Sequence, residues 1–149
     1  MIYLDTSALA KAYISEVGSD EVRSLLAANM DPICVSTLSL VEFRCAIARR
    51  TRARSLTDAE GQRIWSSFED DVETGVFDVL AVDNVDHISA RRLIDTVAPL
   101  PLKALDALHL AVVRRSREFH ATEFVTSDAQ QAAAAQALGI PTQTVALKI

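Results

Sequence analysis

Residues 1–13 read MIYLDTSALAKAY. Ile2-Tyr3-Leu4 is a short apolar run of the kind that sits inside a parallel sheet. It stops on an acid, Asp5, and two hydroxyls follow, Thr6 and Ser7, before a small apolar helical stretch. The same order of strand, acid and helix recurs near the other end, where FVTS leads to Asp128 and the alanine-rich segment 129–138. An acid at the carboxyl end of a strand is either a loop residue that caps the next helix or the first piece of a site. On these residues alone both readings stand.

Working outward, short apolar runs alternate with longer periodic ones. Strands are predicted at 2–4, 33–35, 77–82, 123–126 and 142–147. Helices are predicted at 7–15, 19–29, 38–54, 58–73, 85–97, 102–119 and 129–138. Thr57 with Glu60 three residues later is a capping box, and Gly139-Ile140-Pro141 is a helix stop. Strands alternating with helices imply an α/β fold whose central, mainly parallel sheet of about five strands is covered on both faces. Ligands then bind beyond the carboxyl ends of the strands, where Asp5 and Asp128 fall.

The bulk properties bound the answer. A chain of 149 residues is the size of a single domain, 1–149, and can bury ~70% of its unfolded surface. Half of the residues are hydrophobic and 23% charged, which excludes disorder. Asp5 interrupts the start, so no secretory leader is expected. The uncharged stretch 129–147 is broken by Gln130, Gln131, Gln136, Gly139 and Pro141 and is too polar to span a bilayer. Cys34 and Cys45 lie in apolar surroundings, ICVS and FRCAI, and read as small buried hydrophobes in a reducing compartment; the cytoplasm is the expected location.

Two further acids stand in apolar helical contexts. In TLSLVEFRCAIA, helical spacing puts Leu38, Val41, Cys45 and Ala48 on one stripe and Leu40, Phe43 and Ile47 almost opposite. This predicts a largely buried helix with Glu42 beside the first stripe. A carboxylate there costs several kcal/mol of desolvation unless it is paired or meets a cation. Asp106, in LPLKALDALHLAVV, raises the same problem, although a place in a first turn after Pro101 offers dipole stabilisation instead.

Taken singly, Asp5, Glu42, Asp106 and Asp128 each have an ordinary structural explanation. Together, two at strand ends and two near helix starts, they could converge on one mouth of the sheet. Four carboxylates do not stay ionised side by side without compensating charge, and an all-oxygen cluster suits Mg²⁺ or Mn²⁺. The acid run Glu69-Asp70-Asp71 with Glu73 reads as a solvated face of a helix that buries Trp65, Phe68 and Val72. His87 and His120 sit in polar surroundings. His109, three residues after Asp106, reads as a packing or supporting group rather than a ligand. Thr6 and Ser7 are expected to cap the first helix. No nucleophile elbow is present, which argues against a serine hydrolase.

The net charge of −5 argues mildly against a nucleic-acid binder, but its distribution is uneven. Twelve of the 15 basic residues are Arg, and RCAIARRTRAR gathers Arg44, Arg49, Arg50, Arg52 and Arg54. Arg114, Arg115 and Arg117 form a second group. Arg suits bidentate phosphate contacts, and cations also gather at helix C-termini for dipole reasons; neither reading excludes the other.

MIYLDTSALAK, LSLVEFRCAI, LKALDALHLA and FVTSD, in that order from Ile2 to about Gly139, resemble the PIN-domain family, and within it the VapC-type toxins of toxin–antitoxin pairs. The resemblance implies a three-layer α/β/α sandwich and a metal-dependent endoribonuclease. It implies that Asp5, Glu42, Asp106 and Asp128 form the acidic quartet holding Mg²⁺ or Mn²⁺, supported by the hydroxyls of Ser7 and Thr126. It implies an RNA substrate, for which Arg44, Arg49, Arg50 and Arg52 are the candidate contacts, a homodimer, and a small antitoxin partner. After Asp128 this chain continues AQQA without the further acid of some relatives, so the resemblance does not extend to a full second metal site. Two rivals are a non-cutting PIN-like module that binds RNA or protein, and a haloacid-dehalogenase-type phosphatase. The latter needs a second acid where this chain has Ser7.

Overall fold

The structure, a computed structural model, describes residues 1–148. Five strands, β1 (Ile2–Leu4), β2 (Ile33–Ser36), β3 (Asp78–Leu80), β4 (Glu123–Asp128) and β5 (Thr142–Lys148), pair in the order β3-β2-β1-β4-β5. Every pairing is parallel. Between them run α1 (Thr6–Tyr13), α2 (Ser19–Ala28), α3 (Thr37–Arg52), α4 (Asp58–Glu73), α5 (Asn84–Val97), α6 (Ala104–Ser116) and α7 (Ala129–Ala137).

The period of two in a strand sorts its side chains into two cores. Leu4, Val35 and Val125 face a layer built from α1 to α4, where Leu9, Phe43 and Phe68 are buried. Tyr3, Cys34 and Phe124 face the other layer, against Leu93 of α5, Leu110 of α6 and Ala134 of α7. Both faces are covered, which is why the strand sequences show no polar alternation. Each fully buried Leu or Phe contributes about 2 kcal/mol by leaving water. The expected α/β/α sandwich is observed, as is the Thr57–Glu60 capping box. His87 and His120 are exposed.

Strand order reverses at β1: the chain builds outward through β2 and β3, then returns to place β4 on β1's other side. The crevice of such a sheet opens beyond the carboxyl ends of β1 and β4, next to Asp5 and Asp128.

Several expectations shift. The third strand is confined to Asp78–Leu80, because Phe77 is drawn into the first core. The sixth helix spans Ala104–Ser116 rather than 102–119: Lys103 is its N-cap, and beyond Arg117 the chain turns, leaving Phe119 exposed. The third helix is less buried than its apolar composition suggests. Ser39, Phe43, Ala46 and Ile47 are inside, but Val41 is 63% exposed and Cys45 is exposed as well. That stripe is the wall of a cleft, and a helical wheel does not distinguish a cleft wall from a core.

Candidate functional site

Leu38, Val41 and Cys45 of α3 and Leu105 of α6 flank a cleft of about 480 Å³ lined by all four singled-out acids. Asp5 follows β1, Asp128 ends β4, Glu42 projects from α3 and Asp106 from the first turn of α6. The topology therefore gathers residues up to 123 positions apart (Asp5 to Asp128) at one mouth of the sheet.

Asp5 is 4% exposed and serves both roles that the sequence left open. It is the N-cap of α1, accepting from the backbone N–H of Ala8 at 2.9 Å. Its Oδ1 also accepts from Ser7 Oγ at 2.8 Å, and its Oδ2 from Thr126 Oγ1 at 3.0 Å. The capping group is thus the acid, not Thr6 or Ser7. Ser7 and Thr126 hold the carboxylate, and Thr6 turns instead to Glu42, donating to its Oε1 at 2.8 Å. Burial pushes the Asp5 carboxyl up, opposed by the charge of His109 and by these three donors.

Glu42 meets His109 as well: Nε2 lies 2.5 Å from Oε1. Burial raises the Glu42 carboxyl, but the hydrogen bond and charge of His109, with Thr6, outweigh it and hold the group below the usual range. On the far side of the imidazole, Nδ1 lies 2.7 Å from the hydroxyl of the fully buried Tyr3. Asp128 caps α7, its Oδ1 accepting from the N–H groups of Gln130 and Gln131.

Asp106 differs. It is half-buried and, among the described residues, its carboxylate takes no hydrogen bond or ion pair. Burial first, then repulsion from Asp128, pushes it up to about 6, with Lys103 and His109 opposing and Asp5 adding to the rise.

Among the described residues, no group of three His, Cys, Asp or Glu side chains forms a ready-made metal cage. The acids share a cleft, yet three of the four are engaged by their own donors. The donor set nonetheless fits a hard divalent cation: all ligands are oxygen, and a cation would offset both the burial and the neighbouring charge that raise Asp106. The spacing requires the side chains to close on the ion.

Two groups that line the cleft and one buried behind it escaped the sequence reading. Glu16 lies on its rim, bound to Lys11 at 3.0 Å and Arg50 at 2.7 Å. Gln131 is 1% exposed; its Oε1 accepts from Thr126 Oγ1 at 3.1 Å, while its Nε2 is the one buried side-chain polar atom without a partner among the described residues. Tyr3 is the third. Only Gln131 carried a clue, as a buried amide beside a strand-end acid.

Of the candidate RNA contacts, Arg49 and Arg50 line the cleft. Arg44 stacks over the Trp65 ring at 5.4 Å, and Arg52 is exposed at the end of α3. The second arginine group is largely structural. Arg115 binds the buried Asp86 through two 2.9 Å hydrogen bonds, and Arg117 donates to Gly139 O. A larger groove of about 820 Å³ lies there between α5 and α6, but it holds no part of the acidic set.

The PIN domain family model matches residues 2–137. Ribonuclease VapC47 of Mycobacterium tuberculosis (strain CDC 1551 / Oshkosh) is 33% identical over 137 residues, covering 86% of this chain and 85% of that one. Among solved structures, VapBC2 from Rickettsia felis bound to a DNA fragment from their promoter superposes with a TM-score of 0.67 at 15% identity, over 97% of this chain and 99% of that one. VapC20 of Mycobacterium tuberculosis, a sarcin-ricin loop cleaving toxin, gives 0.65 at 18% identity over 86% of each chain. With the family model and the VapC47 relative both spanning most of its length, the chain belongs to the PIN-domain family.

Proposed function

We propose that the chain is a metal-dependent endoribonuclease, the toxin of a VapBC-type toxin–antitoxin pair, hydrolysing RNA phosphodiester bonds at the acidic cleft. The observation that carries this reading is the unpartnered Asp106 carboxylate, raised by burial first and then by Asp128 and Asp5 across the cleft. An acid held near two others without a cation or donor of its own is expensive unless the site takes up positive charge.

Asp5, Asp106 and Asp128 are the residues to hold Mg²⁺, or Mn²⁺ as a substitute, with Glu42 completing the shell or orienting the attacking water. The ion would supply Lewis acidity toward the phosphate and lower the pKa of a bound water. Ser7 and Thr126 keep the Asp5 carboxylate in one orientation. Arg44, Arg49, Arg50 and Arg52 are the candidates for the RNA backbone. Kinship with VapC47 and a fold shared with the VapBC2 complex support an antitoxin partner, and a homodimer and a cytoplasmic location complete the proposal. No helix among the described residues is long and apolar enough to cross a membrane.

The test is incubation of purified, antitoxin-free protein with labelled total RNA in Mg²⁺, Mn²⁺ or EDTA, beside Asp5→Asn and Asp106→Asn. The second variant is the cleaner control, because it removes no hydrogen bond of the fold. Discrete cleavage that requires metal and disappears in both variants is expected. Folded protein that binds RNA and cuts in neither metal would make it a non-cutting module.

A further inference from the structure

We propose that His109 is a positioning residue for Glu42, and that Tyr3 fixes which nitrogen of its ring carries the proton. The inference rests on the nuclease reading above and deepens it, since Glu42 belongs to the proposed acidic quartet.

The argument is one of donors and acceptors. His109 is 2% exposed, and both ring nitrogens are engaged: Nδ1 with the Tyr3 hydroxyl at 2.7 Å, Nε2 with Glu42 Oε1 at 2.5 Å. An ionised carboxylate only accepts, so Nε2 carries a hydrogen. Whenever the ring holds a single hydrogen, Nδ1 is then an acceptor, and the Tyr3 O–H donates to it. The direction is single throughout: Tyr3 to His109, His109 to Glu42. Glu42 receives a second donor, Thr6 Oγ1, on the same oxygen, Oε1. Oε2 has no partner among the described residues, so the two donors hold the carboxylate by one oxygen and leave the other for the cleft. Tyr3 comes from β1, Thr6 from α1, Glu42 from α3 and His109 from α6. Four elements thus meet on one carboxylate, a supporting arrangement of the kind that orients metal-binding side chains.

A histidine that merely packs would affect stability when replaced and leave metal affinity alone. Mn²⁺ binding is therefore measured by titration on purified protein, without RNA, for wild type, His109→Gln, His109→Leu, Tyr3→Phe and Glu42→Gln. His109→Leu is expected to weaken Mn²⁺ binding about 10- to 100-fold, as loss of an orienting partner does elsewhere. His109→Gln, which keeps an N–H near the Nε2 position, is expected to recover most of it. Tyr3→Phe preserves the ring packing and is expected to cost about tenfold, the lower end of that range. His109→Leu combined with Glu42→Gln is expected to bind no worse than Glu42→Gln alone. Long-range proton–nitrogen NMR of the wild-type ring, recorded at alkaline pH where it holds a single hydrogen, is expected to show that hydrogen on Nε2. If His109→Leu does not fold, His109→Gln, Tyr3→Phe and the NMR measurement still decide.

Unchanged Mn²⁺ affinity in folded His109→Leu and Tyr3→Phe, or a proton on Nδ1, would overturn the inference. Wild type that binds Mn²⁺ but cuts no RNA would overturn the nuclease reading and leave His109 judged on affinity. Wild type that binds no Mn²⁺ would overturn both.

Discussion

Lys11 Nζ lies 3.0 Å from Glu16 Oε1 at a point where the lysine is only 2% exposed. The ammonium also donates to Val17 O at 2.7 Å, and the other oxygen of Glu16 accepts from Arg50 Nη2 at 2.7 Å. One carboxylate thereby ties α1 and the loop after it to α3, along the rim of the acidic cleft. Removing one partner of an enclosed pair costs more than removing the charge that is costly to enclose. Glu16→Gln is expected to destabilise by about 2 kcal/mol, less than a fully buried pair because Glu16 stays partly in water. Lys11→Met, which leaves Glu16 paired with Arg50, is expected to stay within about 1 kcal/mol of wild type. Urea denaturation at neutral pH measures both, and equal losses would refute this asymmetry. Burial raises the Glu16 carboxyl, but Arg50 and Lys11 outweigh it and hold the group below the usual range. Its stabilising contribution is therefore complete above the ordinary glutamate value and lost as pH falls through the lowered one.

Asp86 and Arg115 are a second enclosed pair with a different purpose. Asp86 is 1% exposed, accepts from the Asp83 N–H, and takes both hydrogen bonds of the Arg115 fork. It fastens the start of α5 to the end of α6. Arg115→Met strands a buried acid and is expected to cost about 3 kcal/mol. The loss should appear as a lower melting temperature with Mn²⁺ affinity unchanged, because the pair lies away from the cleft. A stable Arg115→Met would mean that Asp83 and solvent suffice for Asp86.

The alternation of elements was legible because both faces of the sheet are covered, so the central runs Ile2–Leu4, Ile33–Val35 and Phe124–Val125 are apolar on both faces and stand out from the periodic helices. Asp5, Glu42, Asp106 and Asp128 were legible as acids in apolar company. What escaped depends on pairings distant in sequence. Nothing near Arg50 announces Glu16, and nothing near Arg115 announces Asp86, so both arginines looked available for phosphate. The Leu38, Val41 and Cys45 stripe was assigned to the core because an apolar face reads the same whether it meets the interior or walls a cleft. His109 was recognised as a supporting group, but Tyr3, its partner 106 positions away, was not.

The two cysteines, alike in sequence context, are expected to differ in reactivity. Cys34 is fully buried, donates to Ile2 O at 3.3 Å, and its thiol is pushed up to about 12, chiefly by burial. Cys45 is exposed on the cleft wall. Since the thiolate is the nucleophile, iodoacetamide at pH 8 should modify Cys45 in the folded protein and Cys34 only after denaturation. Mass spectrometry of the digested protein distinguishes the sites. Modification of Cys34 in the native state would contradict its enclosure.

The arginines of α3 separate by salt dependence. Arg49 and Arg52 are exposed, whereas Arg50 is committed to Glu16. If RNA runs along this helix, Arg49→Ala and Arg52→Ala should each lower the slope of log affinity against log salt by about 0.7, one phosphate contact on a single strand. Arg50→Ala should chiefly lower stability instead. Affinities are measured on a variant that does not cut, Asp106→Asn. An unchanged slope in both exposed-arginine variants would remove this helix from the RNA path.

Asp106 gives the pH prediction. Its folded value of about 6 stands above the ordinary aspartate value of 3.8. A raised acid binds its proton more tightly in the folded state, so the stabilisation it gives is complete below the ordinary value and lost as pH rises through about 6. Above that pH the ionised group opposes folding in the absence of metal. Asp106→Asn in EDTA is therefore expected to be more stable than wild type at pH 8, by about 1 kcal/mol after discounting for solvent screening of a half-buried group. At pH 4 the difference should largely vanish. Mn²⁺ should stabilise wild type at pH 8 more than at pH 5, where the ion must displace a proton from Asp106. Chemical denaturation across pH, with and without Mn²⁺, measures all of these. A stability difference independent of pH would mean that burial and the repulsion from Asp128 and Asp5 do not raise this acid.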